Sequence, residues 1–220
     1  MPAADRGRSE RGRPERGRPE RGPRDAPRKI RIIGGAWRRT QVPVPDVPGL
    51  RPTPDRVRET LFNWLGQRLD GWRCVDLFAG TGVLGLEAAS RGAAEVVCVE
   101  RDPRALAALR TLRERLGATV VRVVPDDAAA VARGLAATRP GGFDLVFLDP
   151  PFGAGWPQKV MPDAVRLLAP GGLVYLEAEA APPDTLLQAC GLETVRADAA
   201  GQVHYHLLRK RADPASDPPA

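Results

Sequence analysis

The sequence has few of the residues on which metal sites and disulfide frameworks depend. Its 220 residues include three cysteines and two histidines, and no cysteine belongs to a CxxC pair. This scarcity argues against a zinc site or a disulfide framework, because both need clustered thiols or imidazoles. Cys74 and Cys98 lie within apolar runs, which favours packed core thiols over reactive ones. We therefore expect no bound metal.

Long apolar stretches are also missing. No run approaches the roughly 20 apolar residues that a membrane helix needs, which excludes a membrane-spanning protein. The first residues carry charge with no apolar segment behind it, so a secretory signal is not expected. Hydrophobic residues make up 43% and charged residues 27%, as in ordinary globular domains. These features predict a cytoplasmic protein that makes no membrane contact.

Positive charge is concentrated near the N-terminus. Residues 1–28 and 29–60 each carry +4, and the rest of the chain sums to −2, for a net charge of +6. Within 7–21 a five-residue unit rich in Arg and Gly occurs three times without aromatic or β-branched residues, which predicts a disordered tail. A solvated tail and an arm that touches RNA nonspecifically both fit, and a Glu in every repeat weakens the second. Residues 212–220 are also expected to be disordered.

Alternating basic and apolar residues from Lys29 predict a small N-terminal β-hairpin over residues 29–50. Gly34 and Gly35 are expected to supply its turn. Trp37 would pack against a base or against the main domain, and packing is favoured because a lone Trp usually belongs to a core. Basic side chains here and just beyond could bridge phosphates. The predicted RNA-binding residues are Lys29, Arg31, Arg38, Arg39, Arg51 and Arg56.

The main domain, residues 51–211, begins with a helix and then alternates strands with helices. The first helix carries Leu61 and Phe62 on its apolar side, and Asp55 or Thr53 is expected to cap it. Apolar strand runs then occupy residues 74–78, 95–100, 119–124, 143–149 and 172–178. Helical stretches lie at 83–91, 103–116, 127–138, 157–168 and near 183–190, and an antiparallel pair is expected at 192–198 and 202–209. This order predicts an open, doubly wound α/β sheet.

A glycine-rich turn follows the first of these strands. The segment DLFAGTGVLG, from Asp76 to Gly85, contains GxGxxG before a helix, as in dinucleotide-binding and S-adenosylmethionine-binding folds alike. Glu100 ends the next strand, where a carboxylate holds ribose hydroxyls in either class. Asp76 distinguishes the two classes of fold, because its charge would repel the pyrophosphate of a dinucleotide and attract the cationic groups of S-adenosylmethionine. A carboxylate that only caps a turn is the alternative.

Two further acids follow the third strand of the series. Asp126 and Asp127 are suited to accept a hydrogen bond from the amino group of adenine. They could instead be N-caps of the Ala-rich helix that begins at residue 128. The two roles are compatible, and the sequence leaves both open.

The tetrapeptide Asp149-Pro150-Pro151-Phe152 ends the fourth strand. An exocyclic base amine is a poor nucleophile, because its lone pair is conjugated with the ring. The Asp149 carboxylate and the Pro150 carbonyl are two acceptors that would hold the amine hydrogens and turn the lone pair towards a methyl donor. Phe152 would stack on an extruded base. The alternative is a rigid strand-to-helix turn with a core Phe.

The chemistry of Asp149 favours one base over the others. Its carboxylate can accept from both N1–H and N2–H of guanine, whereas adenine offers an unprotonated N1. No Pro-Cys pair follows the strand, which disfavours carbon methylation through a cysteine adduct. Methylation of adenine N6 or cytosine N4 remains the alternative. An NAD-type oxidoreductase leaves DPPF without a role, and a noncatalytic RNA-binding factor leaves Asp76 and Asp149 unexplained.

Five motifs occur in a fixed order: RIIGGAWRR, GLRPTPDRVRETLFNWL, DLFAGTGVLGLEAASRG, VFLDPPF and GQVHYHLLRK. From about Lys29 to Arg211 the chain resembles the RsmD family of 16S rRNA guanine-N2 methyltransferases. The resemblance implies a Rossmann-like class I methyltransferase that uses S-adenosylmethionine. It also implies one target guanine, reached within an assembling 30S particle rather than on free RNA. We expect the protein to act as a monomer.

The resemblance also assigns residues to the site. Asp149, Pro150, Pro151 and Phe152 would form the catalytic loop, and Arg51 and Thr53 would lie near the cofactor and the target base. The implied cofactor-binding residues are Thr53, Asp76, Phe78, Gly80, Thr81, Gly82, Glu100, Arg101, Asp126, Asp127 and Ala128. The repeat tail is outside the family pattern, and Gly153 to Gly155 lack the basic residues expected after this motif.

Overall fold

The computed structural model describes residues 29–153 and 155–211 of the chain, so both predicted tails lie outside the described residues. No helix in these two ranges is long and apolar enough to cross a membrane. The strands are β1 (Lys29–Arg31), β2 (Gln41–Pro43), β3 (Arg73–Asp76), β4 (Glu95–Glu100), β5 (Val121–Pro125), β6 (Phe143–Leu148), β7 (Leu168–Ala178), β8 (Leu192–Ala200) and β9 (Val203–Lys210). The helices are α1 (Asp55–Trp64), α2 (Val83–Ser90), α3 (Pro103–Arg115), α4 (Ala128–Thr138), α5 (Trp156–Leu167) and α6 (Asp184–Ala189).

A seven-stranded sheet in the order β5-β4-β3-β6-β7-β9-β8 forms the centre of the protein. Strands β3 to β7 run parallel, and β9 runs antiparallel to both β7 and β8. The predicted Rossmann-like sheet with an antiparallel edge is therefore confirmed. The strand order reverses between the neighbouring strands β3 and β6, and in such sheets a ligand crevice opens at the carboxyl ends of the two strands.

Helices cover both faces of this sheet and divide the core in two. On one face α1, α2 and α3 bury Phe62, Leu86 and Leu109 against the strands. On the other face α4, α5 and α6 bury side chains such as Ala132 and Met161. Helix α2 is buried along its whole length, which is why its sequence shows no polar side in the first half.

The N-terminal strands β1 and β2 pair antiparallel and pack on the first core. Ile30, Ile32 and Val42 are buried among residues of α1 and α2, so this two-stranded ribbon does not stand free. Trp37 is partly buried against the same core, which agrees with the packing role favoured above. The basic residues of the ribbon remain exposed on its outer side.

The turn predicted at Gly34 and Gly35 is wider than expected. The strands are joined by residues 32–40, and the glycines instead allow a close approach to the end of α2. A Cβ at Gly35 would lie 1.8 Å from the carbonyl oxygen of Ser90, and the φ of Gly35 is +72°. A Cβ at Gly34 would lie 2.3 Å from the guanidinium of Arg91. Any side chain at Gly35 would therefore push the ribbon off the helix.

The predicted cap of α1 is wrong. Pro54 occupies the N-cap position, and no side chain caps the helix. The Asp55 carboxylate instead pairs with Arg58 at 2.6 Å and with Arg31 at 2.9 Å. Thr53 directs its hydroxyl to acids in the crevice. Both candidate caps thus bind other side chains instead of the helix amides, and most of these partners are distant in sequence, which local capping rules do not consider.

Candidate active site

Three acidic residues meet at the carboxyl ends of neighbouring strands. Asp76 ends β3, Asp149 follows β6, and Glu177 is the penultimate residue of β7. Burial raises the pKa of all three carboxyls, and repulsion from the other two acids further raises that of Asp149. Among residues 29–153 and 155–211, no group of His, Cys, Asp or Glu is arranged to hold a metal ion. Because their pKa values are raised, the three carboxyls would bind protons or an organic cation more readily than exposed acids do.

Asp76 leaves one buried oxygen without a partner. The residue is 1% exposed, and its Oδ2 accepts a hydrogen bond from the amide of Gly85 at 3.2 Å. Its Oδ1 has no hydrogen-bond partner in the part of the chain that the structure describes. Burial raises the pKa of Asp76 to about 7. A bound organic cation would stabilise the ionised form of the Asp76 carboxylate and donate a hydrogen bond to its Oδ1. The residue therefore fits the amino group of S-adenosylmethionine.

The glycine turn needs its glycines for two different reasons. Gly80 and Gly82 adopt left-handed φ values of 52° and 76°. A Cβ at Gly82 would lie 2.2 Å from Leu109, and one at Gly85 would lie 2.5 Å from Sγ of Cys98. The first glycine makes the turn, and the others let α2 approach α3 and the sheet. The turn thereby places a helix N-terminus directly beside Asp76.

Glu100 fastens this turn to the end of β4. Its Oε2 accepts from the amide of Gly80 at 2.8 Å, and its Oε1 accepts from the amides of Arg101 and Asp102 at 2.8 and 2.7 Å. Each carboxylate oxygen has more than one acceptor position, so the group retains capacity for ribose hydroxyls. The predicted ribose contact remains a prediction. The structure adds a second task, holding the loop that faces the ligand.

Of the two acids after β5, Asp127 caps the helix that follows and Asp126 does not. Asp127 accepts from the amides of Ala129 and Ala130 at 3.0 and 3.2 Å, at the N-cap of α4. Asp126 accepts from the amide of Asp127 at 2.7 Å and is exposed. The Asp127 carboxylate also lies 3.7 Å from the guanidinium of Arg101, at the end of β4. The capping alternative is therefore observed for Asp127 and not for Asp126, and the adenine contact stays a prediction.

Of the remaining predicted cofactor residues, Thr81 and Ala128 are buried and Phe78 is partly buried. The ring of Phe78 meets that of Trp156 edge-on, with centroids 5.2 Å apart. Trp156 is the first residue of α5, the helix that follows the DPPF segment. This contact joins the wall of the glycine turn to the far end of the predicted catalytic loop.

The four residues of the predicted catalytic loop differ in exposure, and Asp149 is partly exposed. Pro150 is buried, whereas Pro151 and Phe152 are exposed. Phe152 is 37% exposed, and Val120 is the one other large hydrophobic residue this exposed within the described ranges. Phe152 is thus not a core residue, and its ring is available for stacking.

Thr53 links Asp149 to Glu177. Its hydroxyl oxygen lies 3.2 Å from Oδ2 of Asp149 and 2.9 Å from Oε1 of Glu177. The hydroxyl of Tyr175 donates to the same Glu177 oxygen at 2.9 Å. Glu177 and Tyr175 were not among the predicted site residues, although Glu177 ends a strand in the same way as Asp76 and Asp149 do. The structure places Thr53 beside the predicted catalytic loop.

Arg58 is a third residue, after Glu177 and Tyr175, that was not among the predicted site residues. It is fully buried and pairs with Glu87 of α2 at 3.2 Å. It also donates to the main-chain carbonyls of Arg31 and Thr53, at 2.8 and 3.2 Å. One guanidinium therefore joins the ribbon, α2 and the segment that carries Thr53.

The six predicted RNA-binding residues are all exposed: Lys29, Arg31, Arg38, Arg39, Arg51 and Arg56. Arg38 and Arg39 lie together in the connection between β1 and β2, and Arg39 has a left-handed φ of 70°. Arg31 forms an ion pair with Asp55. The structure thus presents most of this charge at one end of the chain, on the ribbon and the segment leading into α1.

Comparison with known proteins gives consistent matches. A family model described as conserved hypothetical protein 95 matches residues 30–209. The chain is 41% identical over 202 residues to ribosomal RNA small subunit methyltransferase D of Escherichia coli (strain K12), which covers 86% of this chain and 94% of that protein. It is also similar to the solved structure of the putative methyltransferase yhhF from Escherichia coli, at 39% identity and a TM-score of 0.70, covering 84% of this chain and 99% of that one.

A more distant match concerns the fold alone. The putative methyltransferase SMU.776, solved in complex with SAH, is 16% identical, with a TM-score of 0.64 over 84% of this chain and 57% of that one. The α/β methyltransferase fold predicted from the sequence is therefore confirmed.

Proposed function

The chain belongs to the RsmD family of ribosomal RNA small subunit methyltransferases, and we propose that it methylates the N2 amine of one guanine in 16S rRNA with S-adenosylmethionine as donor. Methylation of ribosomal RNA follows from the family. The identity of the methyl donor, of the target base and of the methylated atom is proposed from the residues of the site. We also propose that it acts as a monomer on an assembling 30S particle.

The observation that carries the proposal is the pairing of Asp76 with Asp149 at one crevice. Asp76 has a buried oxygen free for a cation, and Asp149 stands at the end of the adjacent strand with the exposed ring of Phe152 nearby. S-adenosylmethionine, when bound, supplies an electrophilic methyl group on a cationic sulfur. Asp76 would hold its amino group and Glu100 its ribose, while Asp127 and Arg101 border the adenine end.

Asp149 would act on the target base. Its carboxylate accepts a hydrogen bond from the exocyclic amine, orients the nitrogen lone pair, and takes the proton that the amine releases when the N–C bond forms. Phe152 would stack on the base and hold it out of the RNA fold. Because no strong base is needed before methyl transfer, positioning supplies most of the rate enhancement. Guanine is favoured because a single carboxylate can accept from its N1–H and N2–H together.

The test is nucleoside analysis after methylation in vitro. The purified protein, labelled S-adenosylmethionine and 16S rRNA from cells that lack this gene are incubated as free RNA and as 30S particles. We expect N2-methylguanosine at one position, with faster incorporation into particles. Label recovered as N6-methyladenosine or N4-methylcytidine would support the alternative instead. No incorporation into either substrate would contradict the proposed function.

Glu100→Ala is expected to weaken S-adenosylmethionine binding by about 1.5–3 kcal/mol, because charged hydrogen bonds to the ribose are lost. The side chain also holds the amide of Gly80, so Glu100→Gln, which keeps the shape, separates the loss of charge from the loss of the turn. Isothermal titration calorimetry measures both affinities. Wild-type affinity in Glu100→Ala, or tight NAD binding by the wild type, would contradict the assignment.

Cofactor affinity is expected to rise with pH. The pKa of Asp76 in the free protein is raised to about 7 by burial, so a cationic ligand binds with release of the Asp76 proton. Below this pKa the proton competes with the ligand, and affinity should fall about tenfold between pH 8 and pH 6. Titration calorimetry across this range measures the trend. Asp76→Asn should bind weakly at every pH, and an equally steep pH dependence in that variant would exclude Asp76 as the cause.

Replacement of Arg38 and Arg39 by Ala is expected to weaken RNA or particle binding and to flatten its salt dependence by about two ions. The pair lies on the exposed ribbon connection, away from Asp76, so cofactor affinity should stay unchanged. The matched control is Arg133→Ala with Arg166→Ala, which removes the same charge from α4 and α5 on the opposite face. Binding isotherms at several salt concentrations measure both variants and a deletion of residues 1–28. A deletion that weakens binding more than the Arg38 and Arg39 variant does would place the RNA surface in the tail.

A further inference from the structure

One hydroxyl stands between two carboxyl groups at the proposed site of chemistry. The Thr53 oxygen lies 2.9 Å from Glu177 and 3.2 Å from Asp149. A hydroxyl has a single hydrogen, so it donates to one of these groups only. The carboxyl oxygen of the other acid would then face a lone pair of the Thr53 oxygen. That contact is a hydrogen bond only if this second carboxyl group carries a proton and donates it to Thr53. Both contacts of Thr53 are therefore hydrogen bonds when Asp149 and Glu177 together carry one proton.

The surrounding contacts indicate which acid carries that proton. Glu177 is 3% exposed and accepts from Thr53 at the shorter distance and from the Tyr175 hydroxyl at 2.9 Å. The guanidinium of Arg58 also favours its charge. Asp149 has no comparable set of donors, since Thr53 is its one hydrogen-bond partner within the described residues and both Glu177 and Asp76 repel its charge. The proton therefore belongs on Asp149.

From this arrangement we propose that Thr53 and Glu177 are positioning residues that hold a proton on Asp149 through a chain in which Asp149 donates to Thr53 and Thr53 donates to Glu177. The inference deepens the proposed function and rests on it. The chain makes Asp149 a more basic acceptor than an isolated carboxylate. It also fixes the direction in which the carboxyl group faces.

The protons balance over one turnover. When the base amine docks, the Asp149 proton leaves to water and the carboxylate accepts the amine hydrogen bond. The N–C bond then forms, the S–C bond breaks with its electron pair on sulfur, and the amine proton passes to Asp149. Asp149 again donates to Thr53, so the product state restores the starting hydrogen-bond chain. The reaction thus ends in the protonation state that this chain stabilises.

The test is the pH dependence of single turnover at saturating S-adenosylmethionine, in which the acid limb reports ionisation of Asp149. Breaking the chain at either end removes support for the protonated form. Glu177→Gln and Thr53→Val are therefore both expected to move the acid limb to lower pH, by about one pH unit. Thr53→Ser keeps the hydroxyl, so its acid limb should stay at the wild-type pH whatever its rate. The charged and titratable groups that face the pair are Asp76, Arg58, Tyr175 and, beyond them, Glu100 and Tyr205.

The outcomes separate this inference from competing ones. A merely structural role for Thr53 and Glu177 would lower the rate equally at all pH values and leave the limb in place, which would overturn the proposal. A limb that moves to higher pH in Thr53→Val would show that Thr53 donates to an ionised Asp149, and would overturn it as well. If either variant fails to fold, Tyr175→Phe removes the other donor to Glu177 and should shift the limb in the same direction by a smaller amount. Failure of the wild type to form N2-methylguanosine would instead reject the proposed function itself.

Discussion

Asp149→Ala is expected to lower the single-turnover rate of methyl transfer by about two orders of magnitude or more while S-adenosylmethionine binding is retained. The substitution removes an acceptor that orients the amine and the group that receives its proton. Asp149 follows β6, whereas Asp76 ends β3 and the glycine turn lies between β3 and α2. The substitution therefore leaves these predicted cofactor residues in place. A rapid-quench assay measures the rate, and calorimetry measures cofactor affinity.

The matched control for this experiment is Asp163→Ala, which removes a carboxylate from α5 that pairs with Arg166 at the surface. This variant should methylate at the wild-type rate. Asp149→Asn should fall between the two, because an amide oxygen accepts a hydrogen bond and takes no proton. Near-normal turnover by Asp149→Ala would remove the residue from the mechanism.

The largest effect on stability is expected from Arg58→Met, which should lower the free energy of unfolding by about 3 kcal/mol or more. Arg58 and Glu87 are both fully buried, so the substitution leaves a buried carboxylate with less compensation. Arg91 still pairs with Glu87 at 2.8 Å, which keeps the loss below that of an isolated charge. The main-chain carbonyls of Arg31 and Thr53 also lose their donor.

Denaturant unfolding measures this loss, with Arg68→Met as the control. Arg68 pairs with Asp70 at 2.6 Å, but its side chain is 80% exposed, so the control should change stability little. The double variant Arg58→Met with Glu87→Met should not recover the loss, because it leaves the buried Arg91 without its ion pair and the amides of Ile33 and Gly34 without their acceptor. A loss in Arg58→Met no greater than in the control would show that the buried pair adds nothing.

The sheet could be predicted because its strands have recognisable local sequence patterns. Runs such as EVVCVE and FDLVFLD are apolar on both faces, and the intervening helices have the length of parallel crossovers. The acids Asp76, Glu100 and Asp149 were recognisable for the same reason, since each ends a strand at the edge where parallel sheets bind ligands. These features depend on short stretches of chain.

The features that escaped prediction depend on contacts between distant stretches. Thr53 reaches Asp149 and Glu177 across 96 and 124 positions, and no local pattern indicates either contact. Arg58 lies between Arg56 and Glu59 in a segment that looks like an exposed helix surface, yet it is fully buried. The capping prediction failed in the same segment, because Asp55 pairs with Arg31, 24 positions away, as well as with Arg58. A charged residue can be recognised as buried only when the position of its oppositely charged partner is known.

The position of the ribbon bears on how the chain folds during synthesis. Its main-chain groups from residues 33 to 37 are bound by Glu87 and Ser90, which are made 53 to 56 positions later. At the usual rate of translation this gap lasts about 3–10 seconds, far longer than a hairpin takes to close. During that time Ile30, Ile32 and Val42 have no core to enter. The segment that we propose to contact RNA therefore leaves the translating ribosome before α2 and acquires its final shape only after α2 has followed it.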